Sequence, residues 1–190
     1  GNAIIMPNCK LAAAQIVSAL QTIVSREVDP FDAAVVTVGT FHSGNKRNII
    51  PDEAKLQLTV RSYKPEVQKK LLASIERIAK GEAAAGGAPR EPKVTVLERE
   101  SSEVVVNDPA LAGRLTGALR RGLGEKNVFA VEPYMTSEDF GVYGRVAGAP
   151  AVQLRIGAVD PDVFAKAKEA GRTMMLPGPH SPLFAPVVET

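Results

Sequence analysis

AKLQLTVRSYKPEVQKKLLASIERIAKG, residues 54–81, changes its apolar period halfway along. Ala54, Leu56, Leu58 and Val60 alternate with Lys55, Gln57, Thr59 and Arg61, the period of two that a half-buried strand requires. From Pro65 the spacing lengthens. Val67, Leu71, Ile75 and Ile78 line one stripe of a helix that Pro65 opens and Gly81 is expected to close. A strand with one apolar face, followed at once by an amphipathic helix, lays that helix on the apolar face. The other face, which carries Arg61, stays free.

Working outward, LAAAQIVSALQTIVSREV (11–28) repeats apolar residues at Ile16, Leu20, Ile23 and Val24, a helical spacing that Asp29-Pro30 ends. AAVVTVGTFHSG (33–44) is short and β-branched, a strand running into a glycine turn. Beyond the small-residue linker EAAAGGAPREP (82–92), KVTVLERE (93–100) reads as a third strand. The order helix, strand, strand, helix, strand lacks only a leading strand to match the split βαβ, ferredoxin-like pattern, and NAIIMP (2–7) is the candidate remnant of it. The expected fold class is therefore α+β. Two helices cover one face of an antiparallel sheet over residues 1–101, with a boundary near Ser101-Ser102.

Residues 102–190 read as an incomplete α/β segment. VVNDPALAGRLTGALRRGLG (105–124) is a helix with Asp108 as N-cap, Pro109 at its first position and glycines at its end. NVFAVEP (127–133) and APAVQLRIGAV (149–159) have strand composition. TSEDFGVYGRV (136–146) is a loop opening a helix, capped by Thr136 or Ser137 with Glu138 and Asp139 in its first turn, and PDVFAKAKEAGR (161–172) is a short helix. So few strands do not make a self-sufficient sheet.

Composition narrows the function. The 190 residues are 45% hydrophobic and 23% charged, near the globular average. A net charge of +2 and 5% aromatic residues provide neither the basic footprint nor the stacking platforms of a nucleic-acid binder. There is no apolar run of membrane-spanning length and no leader pattern. The one cysteine, Cys9, has no intrachain partner and no zinc-site spacing, so a reducing cytoplasm is the default expectation.

Only two histidines occur, His42 and His180. His180 lies in PGPHSPLF (177–184), where prolines on both sides predict a stiff, extended loop. Such a loop suits an imidazole that must be aimed, although a lone loop histidine is commonly just an exposed polar residue.

Three stretches together carry a resemblance. HSGNKRNIIPDEAKLQLTVRS (42–62) is similar to the lid-domain signature of the aminoacylase and hippurate hydrolase family of dinuclear metallopeptidases, and MTSEDFG (135–141) and PHSPLF (179–184) resemble two later motifs of that family, in its order. The resemblance runs from about residue 11 to residue 190. It implies a lid and dimerisation domain (1–101) followed by the C-terminal portion of a catalytic domain (102–190).

By that resemblance Asn48 and Arg61, thirteen positions apart, hold the substrate's carboxylate, a task for which a planar guanidinium is suited. Read blandly, they are a turn asparagine and a surface arginine. His180 matches the family's C-terminal metal ligand. Glu138 and Asp139 are candidates for supporting contacts to it or for helix-start capping. His42 is a candidate catalytic donor to a developing oxyanion or a contact to the acyl group, or simply a strand-end histidine with one structural bond.

The resemblance implies two divalent ions, zinc, manganese or nickel, and hydrolysis of an N-acyl amino acid by metal-activated water in a homodimer. The sequence departs from the family in lacking Glu-Glu, Gly-His and His-Asp pairs, and Ala3 and Asn8 stand where entry-motif histidines belong. Most metal ligands and the general base are therefore expected outside this chain, which alone should be inactive. The alternative is a non-catalytic dimerisation or amino-acid-binding module.

Overall fold

A computed structural model describes residues 2–7, 10–102, 104–136 and 138–187. Asn8, Cys9 and Ser137, on which sequence expectations fell, lie outside the described residues. The chain divides into two compact units, residues 1–151 and residues 152–190.

The first unit opens with β1 (Asn2–Pro7), α1 (Lys10–Thr22) and a π-helical turn, Ile23–Glu27. There follow β2 (Ala34–His42), β3 (Glu53–Ser62), α2 (Pro65–Ala85) and β4 (Lys93–Val96). The four strands form one sheet in the order β2-β3-β1-β4 with every pairing antiparallel. This is the expected ferredoxin-like arrangement, and the candidate remnant at residues 2–7 is its full leading strand. They are an inner strand, paired with β3 from Asn2↔Leu58 to Pro7↔Glu53 and with β4 from Asn2↔Val96 to Ile5↔Lys93. A six-residue segment shows little period of its own; its two flanking partners make it a strand.

β3 follows its sequence pattern. Ala54, Leu56 and Leu58 are buried, Lys55, Gln57 and Thr59 are exposed, and Arg61 is half-buried. Ile4 and Val36 from neighbouring strands, Ile16, Leu20 and Ile23 from the first helical stretch, and Leu71, Ile75 and Ile78 from α2 complete the core. Each such aliphatic side chain contributes about 1.5–3 kcal/mol by leaving water. β2 is an edge strand, and its register against β3 slips between Val38 and Thr40, a bulge at Gly39. α2 does not stop at Gly81. It runs to Ala85 and ends at Gly86-Gly87, where Gly87 takes φ 66°.

After β4 the first unit continues through α3 (Pro109–Leu123) and α4 (Phe140–Ala147); the second contains α5 (Pro161–Glu169). Asp108 caps α3 as expected, accepting from the Leu111 amide at 2.7 Å. α4 begins at Phe140, with Asp139 rather than Thr136 at its N-cap position, and the Asp139 side chain makes no capping bond.

Among the described residues, 127–133 and 149–159 contain no strand, contrary to their composition. A strand exists only where a neighbour completes its ladder, and here Val131, Leu154 and Ile156 remain exposed, Ile156 by 91%.

Candidate functional site

β3 places Arg61 on the sheet face opposite the helices, and Thr40 and Gln57 join there through Thr40 Oγ1 donating to Gln57 Oε1 at 2.9 Å. The Arg61 guanidinium does not stand alone. Its Nη1 donates to the backbone carbonyl of Met135, the first residue of MTSEDFG. Two of the three motifs thus meet in the first unit. No residue pattern announces this contact, because its acceptor is a main-chain oxygen that every residue type carries.

The loop between β2 and β3 carries Asn48, which is exposed. Ser43 Oγ ties the loop's base to the Glu53 carbonyl at 3.2 Å, and Gly44 turns it with φ 69°, where an added Cβ would meet the Pro51 ring at 3.4 Å. His42 is exposed at the end of β2, in register with Lys55. His42 and Asn48 therefore share one end of β3. Arg61 is at the other, and the eight-residue rise from Glu53 to Arg61 spans about 26 Å. Glu138 and Asp139, both exposed, follow shortly after Met135 and so lie close in sequence to the Arg61 contact.

His180 belongs to the second unit and is exposed. The stretch around it is not extended as expected. The Ser181 amide donates to the Gly178 carbonyl at 2.8 Å, and the Phe184 amide to the Ser181 carbonyl at 3.0 Å. These are two successive β-turns with Pro179 and Pro182 at their second positions, where the fixed φ of proline fits. Prolines stiffen the stretch by building turns.

Among the described residues no three His, Cys, Asp or Glu side chains converge to hold a metal ion. The described part of the chain does not make a metal centre by itself, and the imidazole of His180 has a donor suited to one. No described helix is long and apolar enough to cross a membrane.

The first unit thus presents a ferredoxin-like sheet whose helix-free face bears an arginine, and among the described residues beyond β4 there are helices and no strand. Residues 2–87 match the peptidase dimerisation domain of the M20 peptidases. The chain is 36% identical over 133 residues to a hippurate hydrolase of Campylobacter jejuni, covering 70% of this chain and 34% of that protein. It is 37% identical over 149 residues to an N-acetyldiaminopimelate deacetylase of Leuconostoc citreum, covering 78% and 37%.

A solved Bacillus subtilis structure, described as a dinuclear metal-binding peptidase of the M20 family, matches with a TM-score of 0.58 and 25% identity over 78% of this chain and 37% of that one. Residues 2–87 carry a dimerisation domain of the M20 peptidase type, and the relatives and solved structures that the chain resembles are amidohydrolases and peptidases. The chain spans about a third of the length of the curated relatives it matches.

Proposed function

We propose that residues 1–101 are the lid and pairing domain, and residues 102–190 the C-terminal portion of the catalytic domain, of a metal-dependent amidohydrolase that cleaves N-acyl amino acids. The observation that carries this reading is the Arg61 guanidinium, displayed on the helix-free face of the sheet and bonded to the MTSEDFG segment. Arg61 anchors the substrate's carboxylate by paired charge-assisted bonds. The relatives' names support the substrate class, because hippurate and N-acetyldiaminopimelate are both amino acids acylated on nitrogen with a free carboxylate.

His180 supplies one ligand of a divalent metal centre whose other ligands come from polypeptide outside the described residues, with Glu138 and Asp139 as candidates for supporting contacts. Arg61→Ala in the complete enzyme is expected to lower kcat/KM about 10- to 100-fold on N-acyl amino acids, the worth of a hydrogen-bonded charged contact. Unchanged kcat/KM would remove Arg61 from substrate binding.

Asn48 and His42 act on the same ligand from the opposite end of β3, which points to a pair of chains. In a two-fold dimer joined antiparallel along the β2 edges, the loop end of one lid runs beside the Arg61 end of the other. Arg61 of one copy and Asn48 of its partner then face one carboxylate, with His42 near the acyl group. Co-expression tests this arrangement. Mixing the impaired Arg61→Ala and Asn48→Ala chains of the complete enzyme raises activity to about a quarter of wild type if the site is shared between copies, since half the dimers are mixed and each has one intact site. It gives no rise above the separate variants if both residues act within one chain.

A further inference from the structure

The guanidinium assigned to the substrate's carboxylate is already bonded. Arg61 Nη1 donates to the Met135 carbonyl, across 74 positions of sequence. The acceptor is neutral, so the bond lacks the charge–charge attraction that a carboxylate adds. It also uses a single oxygen, whereas a carboxylate takes two parallel N–H groups of the guanidinium at once. A carboxylate therefore outbids the Met135 oxygen.

A carboxamide does not. It offers Arg61 only another amide carbonyl, in competition with one that the chain itself holds at high effective concentration.

We propose that the Met135 carbonyl is a placeholder on Arg61, which a free carboxylate displaces and a blocked one does not. This rests on the reading of Arg61 as the carboxylate anchor. Two consequences follow from the geometry. Selection for ligands with an unblocked carboxyl arises from a competition inside the protein, in addition to the contacts made with the ligand. Binding also releases the Met135 carbonyl from Arg61 on β3, so the backbone at Met135 responds to an occupied lid.

Met135-Thr136 is the one Met-Thr pair in the sequence. Carbonyl-13C methionine with 15N threonine therefore yields one carbonyl–amide correlation in the NMR spectrum of the 190-residue chain, reporting on the Met135 oxygen. Hippurate is expected to move that signal toward its position in Arg61→Ala, while hippuramide at the same concentration leaves it in place. Arg61→Lys, which keeps the charge but loses the fork, guards against a fold defect. It should shift the signal part of the way while the amide signals of β1 to β4 keep their positions.

An identical Met135 signal in wild type and Arg61→Ala, with the sheet signals intact, overturns the contact. A signal that hippurate leaves unmoved overturns the displacement, whatever Arg61 does in the complete enzyme, and equal movement by hippuramide overturns the selection. Conversely, displacement by hippurate alongside unchanged kcat/KM in Arg61→Ala enzyme would uphold the placeholder and sink the anchor reading.

Discussion

Glu27 ends the π-helical turn and binds α2 at three points. Its carboxylate accepts from Ser74 Oγ at 2.7 Å and from Arg77 Nη2 at 2.5 Å, and its backbone carbonyl accepts from Lys70 Nζ. The Ser74 hydrogen bond first, then that of Arg77, holds the carboxyl below the ordinary glutamate range. A group whose folded value is depressed contributes stability that is fully present above its unfolded value and is lost as pH falls through the folded one. The urea midpoint of the lid is therefore expected to fall from about pH 4.3 downward, and Glu27→Gln should flatten that dependence. Glu27→Ala leaves the buried Ser74 hydroxyl without its acceptor and is expected to cost about 1–3 kcal/mol in equilibrium denaturation. Adding Ser74→Ala should return part of the loss, because the orphaned hydroxyl goes with it. No sequence period reveals Glu27, since the contact depends on how the end of the first helical stretch approaches α2.

At the level of elements, legibility tracked how much of each element's reason to exist is local. β3 and α2 could be read because their own residues alternate or stripe against a core. Residues 2–7 were undervalued and 127–133 and 149–159 overvalued for one physical reason: β pairing is non-local, and apolar composition does not say whether a partner strand is present. Gly81 misled as a helix stop because glycine is tolerated inside a helix at a cost; its open surroundings put nothing within 4 Å of an added Cβ. Gly81→Ala is accordingly expected to stabilise the lid by about 0.5–1 kcal/mol, seen as a higher urea midpoint. Gly144 behaves oppositely. An added Cβ there would come within 2.7 Å of Ala151 Cβ and 3.1 Å of the Ala149 carbonyl, so Gly144→Ala forces α4 away from residues 149–151. Faster amide exchange confined to α4 and its neighbour segment is the expected readout, with the sheet unaffected.

Across the whole molecule, the buried aliphatic side chains among the described residues all lie between Ile4 and Ala83, while α3, α4 and α5 contribute no buried residue. Local stability follows buried apolar contact. Limited proteolysis is expected to cut first within 102–187 and to leave a resistant product ending soon after β4; equal survival of both regions would contradict this distribution. The candidate site has the same asymmetry of legibility. Arg61 was readable from β3's alternation, and the separation of Asn48 from it follows once β2 and β3 are known to be a hairpin. The grip of Arg61 on Met135 required tertiary structure, and so did the turns that carry His180. The bulge at Gly39 has a consequence for assembly. It breaks the nine-residue rim of β2 into two short runs, so an incoming strand can stay in register over one of them only. An edge interrupted in this way is a poorer template for continuous strand addition, which disfavours fibre-like growth along β2.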